Sequence, residues 1–447
     1  MRAVRAVGLA ATACVMLAVS ACGAGAGGGS SDSRTLHVLV GANAQHAAAM
    51  TAWQKRIGQQ FHQATGGDLS FDTFASASEE QTKIQTSVVS GTGPDVYQIG
   101  TTFTPVAYSS RAFATLTDRD WATIGGRDRF FGPQLAMAGP DAKHQIGVPF
   151  VMRPYAMVYN TALFAKAGIT SPPKTWDELV ADARKLNDPG SGTWGTAIGY
   201  ADDYDPWKYI WTNTLQSGGR LVSDDLTKAQ LTSRPVADSF AAYFGLLTSD
   251  HVVNPKAVTW KASDALAAFA NGQVGILPMV TPGAEPTLRA GKVHGSYRFA
   301  PMPTIPFGHS SSPSGAQPVG TIVSGDNLAI AGYTKHKDLA LTYVKLVTDP
   351  ENQLFYNQTF GDLPANQQAA SGLAAKDPQT AAFLQAERAA HPTPFTGAWA
   401  QVQLALANVV VQSQPDLASG HVDPAATAAK LAAAQNTVQQ ALDRQRR

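Results

Sequence analysis

Thr35-Leu-His-Val-Leu-Val-Gly41 is a short β-rich run closed by glycine, and Met50, Trp53, Ile57 and Phe61 follow it at spacings of three and four. The first pattern predicts a strand and the second one face of a helix. Gly66-Gly67 stops that helix, and Leu69 to Phe74 reads as a second strand. Ser76 and Glu79 fit a capping box at the start of a helix that ends at Gly91, because a hydroxyl and a carboxylate three residues apart satisfy the free N–H groups there. Asp95-Val-Tyr-Gln-Ile99 is a third strand. Strands alternating with helices imply an α/β fold with a mostly parallel sheet covered on both faces.

The pattern resumes after Gly147-Val-Pro149. Tyr155 to Tyr159 is strand-like and Thr161 to Ala167 helical, and Thr175-Trp-Asp-Glu178 is a further capping box whose helix turns Leu179, Val180, Ala183 and Leu186 toward a core. Helices are expected near 236–247, 263–271 and 337–348, with strands near 274–277, 298–300 and 327–330. The Ser-, Gly- and Pro-rich stretch from Ile305 to Thr321 reads as an exposed loop, and the tail from Trp399 as helical.

Arg2 and Arg5 precede an apolar stretch from Val7 to Val19, the layout of a secretory signal and too short for a stable bilayer span. It runs into Val19-Ser20-Ala21-Cys22, which resembles the bacterial lipobox and makes Cys22 the expected lipidation site. Residues 1–21 are then the leader, and Cys14 is lost with it, so no thiol pair remains for a disulfide. Gly23 to Ser33 holds only Gly, Ala, Ser and Asp, the composition of a flexible tether, here 22–33 with the cysteine. With 447 residues, 44% apolar, the chain can build large cores. Its net charge of +1 and the lack of a basic run outside the ends give no support to nucleic-acid binding.

Several segments together resemble the extracellular solute-binding proteins of bacterial ABC importers, in the sugar-binding group that includes maltose-binding protein. They are Ser90-Gly-Thr-Gly-Pro-Asp-Val96, Val148-Pro-Phe150, Tyr159-Asn-Thr-Ala-Leu-Phe164, Ala167-Gly-Ile169 with Pro173-Lys-Thr-Trp-Asp-Glu-Leu179, Ser217-Gly-Gly219, Phe269-Ala-Asn-Gly-Gln-Val-Gly275 and Leu346-Val-Thr-Asp-Pro-Glu351. Each is weak alone, but their order and spacing are specific, and they cover the chain from Thr35 onward. The resemblance implies a two-lobed periplasmic-binding-protein-like fold of type II, with mixed sheets, a hinge and an interlobe cleft. Residues 34–148 with 292–348 would form one lobe, and 149–291 with 349–447 the other. It further implies a monomeric, membrane-anchored extracellular protein that hands a small-molecule sugar to permease subunits and needs no cofactor.

Candidate ligand contacts follow from the strand ends. Asn43 and Gln45 come after the first strand and offer neutral amides that donate and accept, as sugar hydroxyls require, although Asn43 could equally cap a helix and His46 beside them is more simply solvated. Gln98, Thr101 and Thr102 come at the end of the third strand, past a Gly91-Thr-Gly-Pro-Asp95 turn that matches no phosphate-binding loop. Asp202-Asp-Tyr-Asp-Pro-Trp-Lys-Tyr-Ile-Trp211 is the densest polar and aromatic cluster. Asp205 would accept hydroxyls there, and Trp207 or Trp211 would stack on a pyranose face unless both are core. Arg153 and Tyr155, just past the expected hinge, Asp326, and Trp399 complete the set. Met279 and Thr281 stand where many sugar-binding relatives carry an aromatic, a departure that argues against a long oligosaccharide.

Other chemistries find little support. No G-x-S-x-G, H-E-x-x-H or Cys/His metal spacing occurs, and the acidic run at 202–205 does not match a calcium loop. A two-carboxylate glycoside hydrolase would draw on Asp95 and Glu178, which turn and cap geometry already explain. The same fold holding a peptide, polyamine or phosphate ester is the alternative within the family.

Overall fold

The structure, a computed structural model, describes residues 34–42, 47–75 and 77–446. Cys22, Asn43, Gln45, His46 and Ser76, together with the expected leader and tether, lie outside the described residues. Twelve strands are present among those described: β1 Thr35–Gly41, β2 Asp68–Phe74, β3 Val96–Gly100, β4 Gly147–Met152, β5 Ala156–Asn160, β6 Trp194–Thr196, β7 Val274–Val280, β8 Tyr297–Ala300, β9 Thr321–Ile322, β10 Gly325–Ile330, β11 Leu363–Pro364 and β12 Ala390–His391.

Local sequence signals locate most of these elements. The helix Ala47–Thr65 buries Met50, Trp53, Ile57 and Phe61, the four positions its apolar spacing marks out. Trp53 then packs edge-on to Tyr356 at 5.5 Å and beside Phe150, so the stripe docks on the sheet rather than on solvent. Thr175 accepts from the Glu178 N–H and the Glu178 carboxylate from the Thr175 N–H, the reciprocal box that starts the helix Trp176–Leu186.

Six strands form one sheet in the order β11-β4-β10-β3-β1-β2, and four form another in the order β6-β7-β5-β8. The sheets are mixed rather than mostly parallel. β1 runs parallel to β2 and β3, whereas β10 is antiparallel to both β3 and β4 because the chain enters it from the opposite end after a long excursion. In the smaller sheet only β6–β7 is parallel. Each sheet is the centre of one lobe. A two-stranded ribbon, β9 with β12, ties the connecting segments together.

Strand pairing moves the crossings away from the boundaries expected from sequence. Val148-Pro149 lies inside β4, so the chain leaves the larger sheet after Met152. β8, within the segment 292–348 assigned to the first lobe, pairs with β5 in the smaller sheet. Leu363 and Pro364, assigned to the second lobe, pair with β4 in the larger one. β4 and β11 are buried throughout and β8 everywhere but Arg298, so their residues carry no mark of which sheet they join. Beyond them the helix Pro378–Arg388 packs Phe383 on Phe299 of β8, and the helix Trp399–Gln412 packs against Pro206–Gln216.

Candidate functional site

A cavity of 480 Å³ opens where the two lobes meet. The smaller-sheet lobe contributes Tyr155 before β5, Ile198 and Gly199 after β6, Asp205 and Tyr209 at the start of the helix Pro206–Gln216, and Met279 and Thr281 at the end of β7. Phe360 and Asp362, leading into β11, come from the other lobe, and Arg153 follows β4. The end of β7 is strained: Met279 holds a left-handed backbone at φ +56°, which an unbranched non-glycine residue adopts at a cost of about 1 kcal/mol. Met279 lines the cavity wall.

Arg153 organises the charge. Its Nε and Nη2 donate to both oxygens of Asp362 at 2.8 and 2.7 Å, and Nη1 reaches Asp326 Oδ2 at 2.9 Å. Gln98 Nε2 donates to the same Asp326 oxygen at 2.6 Å, while Gln98 Oε1 accepts from the Gly41 N–H. Asp326 can sit there because Gly325, at φ +146°, brings β10 against β4; a Cβ at that residue would fall 2.0 Å from the Val151 carbonyl oxygen. Burial pushes the Asp362 carboxyl up, against the pull of the guanidinium. Burial works against the Arg153 charge as well, yet Asp326 and Asp362 hold it well above its ordinary range.

The second cluster stands on the 202–211 segment. Asp202 accepts from the backbone N–H groups of Tyr204, Asp205 and Ala262, which fixes the turn before the helix. Lys208, buried, pairs with Asp205 and lies over the rings of Tyr155 and Tyr204 at 4.5 and 5.0 Å. Burial would lower its pKa, but the Asp205 carboxylate together with Tyr155 and Tyr204 outweighs that and keeps the ammonium charged. Tyr204 is 40% exposed, and its hydroxyl lies 3.4 Å from Thr102 Oγ1 of the first lobe and 3.3 Å from Gln403 Nε2.

Of the residues expected at a ligand site, the structure brings Arg153, Tyr155, Asp205, Met279 and Thr281 together around the cavity. Asp326 backs it through Arg153, Gln98 is buried behind Asp326, and Thr101 is buried with its hydroxyl on the Val323 carbonyl oxygen. Trp207, Trp211 and Trp399 are not at the cavity: they are 0, 2 and 0% exposed, and Trp207 meets Trp399 edge-on at 5.8 Å in the core of the second lobe. A helix of this lobe is covered on every side, so an aromatic pair four apart goes inward. Tyr204, Lys208, Tyr209, Phe360 and Asp362 are what sequence reading missed. The first three lie inside the quoted cluster, whereas no local signal at Phe360-Gly-Asp362 announces its meeting with Arg153, 209 positions away.

Four other acids, Asp95, Glu178, Glu80 and Glu387, have structural roles or are buried apart from the cavity. Asp95 accepts from the His37 N–H and Thr334, and Glu178 is held in its capping box. Glu80 accepts from the Gly100 N–H at 3.0 Å and is pushed up to about 8 by burial. Glu387, 1% exposed, accepts from Gln134 Nε2 at 2.9 Å and is likewise pushed up to about 8 by burial. Its Oε2 and the Oε1 of Gln134 find no hydrogen-bond partner among the described residues. No group of three or more His, Cys, Asp or Glu among the described residues is arranged to hold a metal ion. No described helix is long and apolar enough to cross a membrane.

The profile of the bacterial extracellular solute-binding protein family matches residues 43–354. A putative binding protein of Brucella abortus is 25% identical over 288 residues, 64% of this chain and 66% of its own, so the chain spans just under two thirds of that relative. The diacetylchitobiose binding protein DasA of Streptomyces coelicolor is 25% identical over 416 residues, 87% of this chain and 88% of that protein. An ABC transporter solute-binding protein of Thermotoga lettingae, solved bound with alpha-D-tagatose, superposes with a TM-score of 0.73 at 19% identity, over 91% of this chain and 99% of that one. At that identity the likeness is one of fold, bilobed and α/β.

Proposed function

The chain belongs to the bacterial extracellular solute-binding protein family, and from that premise we propose that it is the capture subunit of an ABC importer for a sugar-type solute, anchored to the cell membrane through lipidated Cys22. It is a binding protein and not an enzyme. The observation that carries the reading is the cavity at the meeting of the lobes, where Tyr155 and Tyr209 offer ring surface and Asp205 and Asp362 offer hydroxyl acceptors. Arg153, Tyr155, Asp205, Met279 and Thr281 are the proposed contacts from the described residues. Asn43, Gln45 and Thr102 would complete them from the first lobe.

A ligand touching both lobes would favour a closed arrangement, and the binding energy would go into that population shift. The connections at 153–155 and 301–324 would serve as the hinge, and the closed form would dock on the permease. A volume of 480 Å³ suits one or two sugar rings better than a long oligosaccharide. The names of two relatives agree with this scale, one binding diacetylchitobiose and one holding tagatose.

Intrinsic fluorescence titration with mono- and disaccharides, followed by small-angle scattering, tests the proposal. Saturable quenching with a smaller radius of gyration is expected for one of them. Compaction by a peptide or polyamine and by no carbohydrate would remove the sugar assignment. Replacing Cys22 by Ala should release the protein from membranes, and unchanged membrane association would remove the anchor.

A further inference from the structure

We propose that the cavity admits neutral and amine-bearing carbohydrates and rejects phosphorylated and carboxylated ones, because the one cation among its described lining residues is already held by two carboxylates. This rests on the sugar-binding reading and deepens it. Among the described lining residues Arg153 is the only cation, against Asp205 and Asp362. Nε, Nη1 and Nη2 of Arg153 each meet a carboxylate oxygen, so three of its five N–H groups are taken and its charge is balanced twice over before any anion arrives. Behind the wall the balance repeats: Lys208 is paired with Asp205 and covered by two tyrosine rings, and Asp326 adds a further negative charge.

Arg153 and Lys208 therefore face Asp205, Asp326 and Asp362, a formal excess of one negative charge. A phosphate or uronate entering here meets like charge and must shed its water with no unpaired cation to replace it. A ligand ammonium meets the excess carboxylate, and a neutral hydroxyl meets carboxylate oxygens whose second lone pairs can accept a further bond. The charge pairs that order the wall thus also set the ligand's charge.

The test is a thermal-shift screen of the full protein with D-tagatose, D-glucose, N,N′-diacetylchitobiose, glucosamine, glucose 6-phosphate and glucuronate, followed by calorimetry of the hits. Neutral or amino sugars are expected to bind, with anionic counterparts at least about 100-fold weaker. An anionic sugar binding as well as its neutral form would overturn the inference while leaving solute binding intact. Failure of every carbohydrate would overturn the sugar reading and the inference with it. Asp362→Asn frees guanidinium donors, and the phosphate-to-neutral affinity ratio should rise about 10-fold or more. Asp205→Asn is the second variant should loss of the buried pair prevent folding, and a folded variant of either kind with an unchanged ratio would also refute the inference.

Discussion

Glu387 gives the sharpest prediction about stability. It is buried beside Gln134, and burial raises its carboxyl from the ordinary 4.5 to about 8. The folded protein therefore keeps this proton up to about pH 8, while the unfolded chain releases it near 4.5. Between those values the folded state holds one more proton, so the contribution to stability is complete below the unfolded pKa and declines as pH rises, disappearing above about 8. The slope is about 1.4 kcal/mol per pH unit and flattens near the folded pKa, giving roughly 2 kcal/mol between pH 6 and 8. The geometry supplies the cause. Gln134 Nε2 already donates to Glu387 Oε1, and the two oxygens without partners belong to the same two side chains. A proton on Glu387 Oε2, donated to Gln134 Oε1, would satisfy both, whereas a bare carboxylate would leave two acceptors and a charge in a dry place. Glu387→Gln keeps a donor and an acceptor without the titration. Its urea-unfolding midpoint should lie near that of the wild type at pH 6 and above it at pH 9, and the comparison at each pH cancels Glu80, which titrates in the same sense. A difference between the two proteins that stays constant from pH 6 to 9 would refute the reasoning.

Arg153→Ala strands Asp326 and Asp362 beside one another. Because 31% of the Arg153 side chain remains exposed, the expected cost is about 2–3 kcal/mol, measured by denaturant unfolding, together with loss of ligand binding. Trp399→Ala should cost about 3–5 kcal/mol in the same assay, since the ring is core; a folded, stable variant that has lost only ligand affinity would show the ring to be a stacking platform after all. Thr175→Ala removes the hydroxyl of the capping box, and thermal unfolding should report a loss of about 1 kcal/mol with ligand affinity unchanged.

Local pattern in the chain was enough to locate most elements and give their class. Apolar spacing marked the buried face of Ala47–Thr65 and capping residues marked the start of Trp176–Leu186, because these signals arise between residues a few positions apart, while the two α/β lobes were what the family resemblance implied. The sequence also picked out the 202–211 segment as chemically loaded. It could not say which of that segment's aromatics face inward, and the structure sends Trp207 and Trp211 to the core while leaving Tyr204 at the surface. Nor could it assign Gly147–Met152, Tyr297–Ala300 and Leu363–Pro364 to their sheets, since short, largely buried strands read alike whichever neighbour they pair with. Only the folded chain brings Asp326 and Asp362 onto Arg153 from positions 173 and 209 residues downstream, a meeting fixed by strand order and one close glycine contact rather than by anything local to the three residues.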